Sequence, residues 1–134
     1  MTQDERRAWT EWLREMRWDW FATCAFGHET SSSAAVRAVT AWLAPLPRAY
    51  AAVGVQPGPV GDRLHVHAVV GGTGRDPLVE TLLRGSWRRG SLDLRGYTPL
   101  KGAIEYICRQ ADDMEILGTP VTYRPRRQRV TKLT

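Results

Sequence analysis

The sequence predicts an α+β domain: a mostly antiparallel sheet of four to five strands with helices packed on it. Three observations carry this expectation. Short apolar or alternating runs at 19–26, 50–56, 63–70 and 91–95 have strand character. Between and around them, apolar residues recur at spacings of three and four, the period of helices with one buried face. Two of the strands are joined by Pro57-Gly58-Pro59-Val60-Gly61-Asp62, a turn-rich connection that makes them an antiparallel hairpin and places 63–70 centrally. At 134 residues the chain suffices for one domain with its own core.

Thr2 and Glu5 have the spacing of a capping box, so a helix starts at once, with Trp9, Trp12, Leu13, Met16 and Trp20 as its apolar stripe. Phe21-Ala22-Thr23-Cys24-Ala25-Phe26 reads as a buried strand with Thr23 as its polar exception. Serines at 31–33 cap a second helix that buries Val36, Val39, Trp42 and Leu43 and stops at Pro45 and Pro47. Asp76-Pro77 opens a third helix, with Leu78, Leu82, Leu83 and Trp87 on its apolar side and Arg84, Arg88 and Arg89 at its carbonyl end, before an edge strand at 91–95. A final helix is expected over about 100–113, with Ile104, Ile107, Cys108 and Ala111 inward and Tyr106 and Arg109 together on a neighbouring face. Gly102, read as lying inside that helix, is explained by open space above Tyr106.

In the strand 63–70, side chains alternate between faces, so His65 and His67 point the same way and Leu64, Val66 and Ala68 the other. Neutral imidazole is the commonest protein ligand for a catalytic metal ion. A His-x-His pair alone is nevertheless more often two satisfied histidines on a half-buried strand. Gln56, ending the preceding strand of the hairpin, is placed beside that face as a third donor. His28, in a loop, is expected to be exposed and without a role.

The net charge of +5 is unevenly placed. Residues 120–134 carry Arg124, Arg126, Arg127, Arg129 and Lys132 and no acid, while the remaining Lys and Arg of residues 1–119 balance the chain's 14 Asp and Glu. The expected division is a domain at 1–119 followed by a basic tail at 120–134, which serves equally as a solvated end and as a phosphate contact. Cys24 and Cys108 have no Cys-x-x-Cys spacing, and neither a secretory leader pattern nor a membrane-length apolar run is seen, so a reduced cytoplasmic setting without membrane contact is expected.

Three motifs in order resemble the HUH nucleic-acid endonucleases, especially the single-tyrosine initiator (Rep) proteins of rolling-circle elements. Phe21-Ala22-Thr23-Cys24-Ala25-Phe26 is similar to the family's first motif, His65-Val66-His67 to its His-hydrophobic-His motif, and Tyr106-Ile107-Cys108-Arg109 to its Tyr-x-x-Lys motif. The resemblance spans about residues 18–117, with Arg109 where Lys is usual and Gln56 where Glu is commoner.

The resemblance implies an HUH/Rep-like variant of the ferredoxin-like fold. It further implies Mg²⁺ or Mn²⁺ held by His65, His67 and Gln56, attack by Tyr106 on single-stranded DNA, a 5′-phosphotyrosine intermediate, and religation without ATP. Arg109 would hold the phosphate or the nucleophile. Arg88, Arg89, Lys101, Arg124, Arg126 and Arg127 are the expected DNA contacts. Unwinding would fall to a separate helicase; the oligomeric state stays open. The alternatives are a cleavage-deficient single-strand-binding or regulatory module on the same fold, an HUH transposase, and a metal-dependent hydrolase in which water replaces Tyr106.

Overall fold

The computed structural model describes residues 1–57 and 64–122. Residues 58–63, the rest of the turn-rich connection after Pro57 together with Arg63, and residues 123–134 of the basic tail lie outside the described residues.

The elements run α1 (Gln3–Leu13), β1 (Trp20–Ala25), α2 (Ser32–Leu43), β2 (Tyr50–Pro57), β3 (Leu64–Gly71), α3 (Pro77–Ser86), β4 (Leu92–Gly96), a 3-10 turn (Pro99–Lys101), α4 (Ala103–Gln110) and β5 (Asp113–Leu117). The five strands form one sheet in the order β4-β1-β3-β2-β5, every pair antiparallel, with the histidine strand β3 at its centre. The segment from β1 to β4 is a βαββαβ unit of ferredoxin-like order; α1, α4 and β5 are added around it.

Strand alternation divides the molecule into two cores. On one face Trp20, Ala22 and Cys24 of β1 and Val66, Ala68 and Val70 of β3 pack with Val39 and Trp42 of α2 and Leu83 of α3. On the other, Ala52 and Val69 meet Ile104, Ile107 and Cys108 of α4, and Leu13 of α1 completes the layer. Both cysteines are free and buried, one in each core. Among the described residues no helix is long and apolar enough to cross a membrane.

The capping box forms as expected: the Thr2 N–H donates to Glu5 Oε1 at 2.8 Å and the Glu5 N–H to Thr2 Oγ1 at 3.1 Å. The apolar stripe, however, does not extend to Trp20. α1 stops at Leu13, whose carbonyl accepts from Trp18 Nε1 at 2.8 Å, and Trp20 opens β1 instead. Met16 forms an isolated bridge with Thr122, and Trp12 is 42% exposed.

α2 starts at Ser31, whose hydroxyl accepts from the Ala34 N–H. In α3 the Asp76 cap and Pro77 start are as expected, but Leu78 and Leu82 are exposed and Leu83 is the helix's buried anchor. The helix ends at Ser86 because Trp87 turns extended to pack against Phe26 and Trp42. Arg88 and Arg89 therefore lie beyond its carbonyl end. Arg84 sits in the last turn and donates to Glu80 and to the Leu94 carbonyl.

The largest departure is at the C-terminal side. One helix over 100–113 is replaced by a 3-10 turn, a break at Gly102, the short α4 and the edge strand β5. Gly102 has φ +70°, the left-handed region, so glycine is explained by backbone conformation at the start of α4 rather than by room for Tyr106. Beyond α4, Ala111 is extended and Asp113-Met114-Glu115-Ile116-Leu117 pairs with β2.

Candidate metal and nucleophile site

The sheet register assembles the site. His65 lies between Ala25 of β1 and Gln56 of β2, and His67 between Thr23 and Gly54; Asp93 of β4 continues the second row beyond Thr23. Gln56 is therefore directly opposite His65, the placement the hairpin predicted. Above this face runs α4, seated by Ile104, Ile107 and Cys108, and it carries Tyr106 over β3.

His67 is buried, and three rings surround it. Tyr106 meets it edge-on at 5.1 Å between centroids, Phe21 lies nearly parallel at 6.2 Å, and His65 stands at 6.4 Å. The guanidinium of Arg109 lies 5.8 Å from the centre of the Tyr106 ring, so the expected pairing on one helix face is present.

His67 Nδ1 is 3.2 Å from Thr23 Oγ1. This contact orients the ring; with the proton on Nδ1, the Thr23 hydroxyl accepts it and Nε2 carries a bare lone pair. Nε2 of His67 and Oε1 of Gln56 are both buried without a hydrogen-bond partner. Unpaired buried polar atoms are uncommon because each carries an uncompensated desolvation penalty. An imidazole nitrogen and an amide oxygen left this way, with His65 adjoining, are donors of the kinds a divalent cation takes. No group of three His, Cys, Asp or Glu among the described residues is so placed, and the third donor here is an amide.

Burial, followed by the neighbouring His65, lowers the His67 pKa from 6.5 to about 4. The depressed value favours the neutral ligand form and links folding to pH. Above pH 6.5 this contribution to stability is complete; below it the unfolded chain takes up the proton first, and stability is lost as pH falls toward 4. The full contribution is about 3 kcal/mol. Urea unfolding at pH 7 and pH 4.5 should show wild type losing more stability between the two than His67→Gln does; equal losses would remove His67 from the acid response.

A cleft of about 310 Å³ opens beside His67, lined by Phe21, Thr23, Asp93, Arg95 and Tyr106. Asp93 and Arg95 face each other across two hydrogen bonds of 3.0 Å. Thr23, Asp93, Arg95 and Gly54 were not among the expected site residues. Asp93 and Arg95 alternate with Leu92 and Leu94, which marks their face as polar, but only the pairing of β4 with β1 brings that face to His67.

The other expected contacts are dispersed. Arg88 and Arg89 line a cleft with Trp42 and Pro45 of the α2 side, and Lys101 is exposed in the turn before α4. Arg124, Arg126 and Arg127 lie outside the described residues, as does Tyr123. Tyr50 is buried with its hydroxyl donating to the Arg17 carbonyl. His28 is exposed, as expected. Comparison with protein-family models, with curated proteins and with solved structures found no match for this chain.

Proposed function

We propose that the chain nicks and rejoins single-stranded DNA through a covalent 5′-phosphotyrosine link, with Tyr106 as nucleophile and a divalent cation held by Gln56, His65 and His67. The observation that carries this reading is Tyr106 standing over His67 while His67 Nε2 and Gln56 Oε1 remain buried without partners. When bound, Mn²⁺ or Mg²⁺ supplies Lewis-acid polarisation of a phosphoryl oxygen.

The chain's own residues supply the rest. A phenol with pKa near 10 is about one part in a thousand ionised at pH 7, so Tyr106 depends on orientation and on charge stabilisation at the phosphate. Its oxygen bonds to phosphorus, the bond from phosphorus to the 3′-oxygen breaks, and the departing oxygen ends as a hydroxyl while the phenolic proton is released. Arg109, a fixed cation beside the ring, holds the phosphate against Tyr106 and offers bidentate donors. Thr23 holds His67 in register. Reversal by a 3′-hydroxyl rejoins the strand because the phosphotyrosine conserves the ester bond.

The test is incubation with single-stranded oligonucleotides and Mn²⁺, followed by denaturing electrophoresis. A protein–DNA adduct that survives denaturation is the expected result. Its absence on a randomised oligonucleotide pool would overturn the proposal. A second measurement addresses the donor set: Gln56→Glu should tighten Mn²⁺ binding roughly tenfold in calorimetry by adding a charge, and Gln56→Ala should weaken it by about as much. Unchanged affinity in both would exclude residue 56 from the site.

A further inference from the structure

A second cleft, of about 310 Å³, lies between α1 and the end of α4. Four arginines line it, Arg6, Arg7, Arg14 and Arg109, against the one carboxylate of Glu11. Arg6 is occupied in holding the fold: its Nη1 donates to the carbonyls of Cys108, Arg109 and Ala111 at 2.8, 3.1 and 2.8 Å, closing the end of α4. The other three keep donors free for a ligand. Arg7 is 66% exposed and reaches Asp4 only at 3.7 Å. Arg14 pairs with Glu105 yet stays 57% exposed. Arg109 has no carboxylate partner among the described residues and lies over Tyr106.

These cations come from both walls of the cleft, Arg7 and Arg14 from α1 and its C-cap and Arg109 from α4. Arg7 and Arg14 are seven residues apart, two helical turns, so they share a face of α1 at a separation of about 10 Å. Arg109 lines the same cleft from α4 and lies beside Tyr106. A set of guanidinium groups in an open groove beside a phosphate-attacking tyrosine suits a chain of phosphodiesters, which offers regularly spaced anions.

We propose that the α1–α4 cleft is a phosphate track for the single strand on one side of the scissile bond, which makes α1 part of the nucleic-acid interface. This rests on the nicking proposal for the choice of single-stranded DNA as ligand. It gives Arg7 and Arg14 a role that the apolar periodicity of α1 does not reveal.

The experiment is a salt titration of fluorescein-labelled oligothymidylate binding by fluorescence anisotropy, with Tyr106→Phe as the parent so that cleavage plays no part. Arg7→Gln on this parent should weaken binding about three- to tenfold at low salt and reduce the slope of log K against log salt by about 0.7, the loss of one phosphate contact. Arg37→Gln, an exposed arginine of α2 across the sheet, is the charge-matched control and should change neither. Equal behaviour of the two variants would overturn the track. Thermal melts matching the parent exclude a folding defect as the cause. The two proposals fail separately: no adduct in the wild type with an Arg7-dependent slope rejects nicking and keeps the track, whereas an adduct with no Arg7 dependence rejects the track alone.

Discussion

Tyr106→Phe is expected to abolish the covalent DNA adduct, lowering its rate of formation by at least about a thousandfold, while leaving the fold and oligonucleotide binding intact. The substitution deletes one oxygen. The ring contact with His67 at 5.1 Å and the neighbouring Arg109 are retained, and the side chain is 36% exposed, so little packing is lost. Tyr50 is a poor substitute because it is buried and its hydroxyl is already donating to a backbone carbonyl. Adduct formation by wild type and variant should be followed on the same oligonucleotide, with anisotropy and a thermal melt in parallel. An adduct that persists in Tyr106→Phe would move the nucleophile elsewhere. Strand cleavage that persists without an adduct would replace the tyrosine by water and make the protein a hydrolase.

The parts of this arrangement that were legible in the sequence are those governed by local period and by a hairpin. Two-residue alternation put His65 and His67 on one face, and the hairpin put Gln56 opposite His65, as the register has it. Spacing of three along a helix put Arg109 beside Tyr106. What depended on long-range pairing was not legible. Thr23 meets His67 because β1 pairs with β3, and Asp93 and Arg95 reach the same cleft because β4 pairs with β1, neither of which any local pattern specifies. Ile104, Ile107, Cys108 and Ala111 keep helical period up to the point where β5 begins, so periodicity predicts a longer final helix than the one that forms. The alternation of Asp113, Met114, Glu115 and Ile116 is a strand signal, but only two residues separate it from the end of the eight-residue α4.

That short helix also explains why the added elements matter. α4 is too short to be stable alone, so its position is imposed by what it touches. Arg6 binds its last carbonyls, Arg14 pairs with Glu105 in its first turn, and the sheet supports its inner face. Tyr106 is thus positioned from two sides, by α1 above and by the sheet below.

The sheet side of that seat has one critical position, Gly54. A Cβ placed there would come within 2.7 Å of Ile107 Cγ2, 2.8 Å of Ala111 Cβ and 3.1 Å of Met114 Sδ. Glycine within a strand commonly marks such a close approach of another element. Gly54 is paired with His67 on one side and Met114 on the other, so any enlargement acts on the floor of the site and lifts α4 away from it. Gly54→Ala should therefore destabilise the protein by about 1–3 kcal/mol through overpacking, a fall in melting temperature of roughly 5–10 °C. Gly54→Val should cost more on both counts. The effect on chemistry should exceed the effect on folding. Moving Tyr106 by about 1 Å relative to His67 is enough to lower adduct formation on the order of a hundredfold, at a temperature where Gly54→Ala is still fully folded. Single-turnover rates measured well below the melting transition separate the two effects. A folded Gly54→Ala protein with wild-type rate would show that contact between α4 and the sheet does not set the position of the nucleophile, leaving α1 as the element that does.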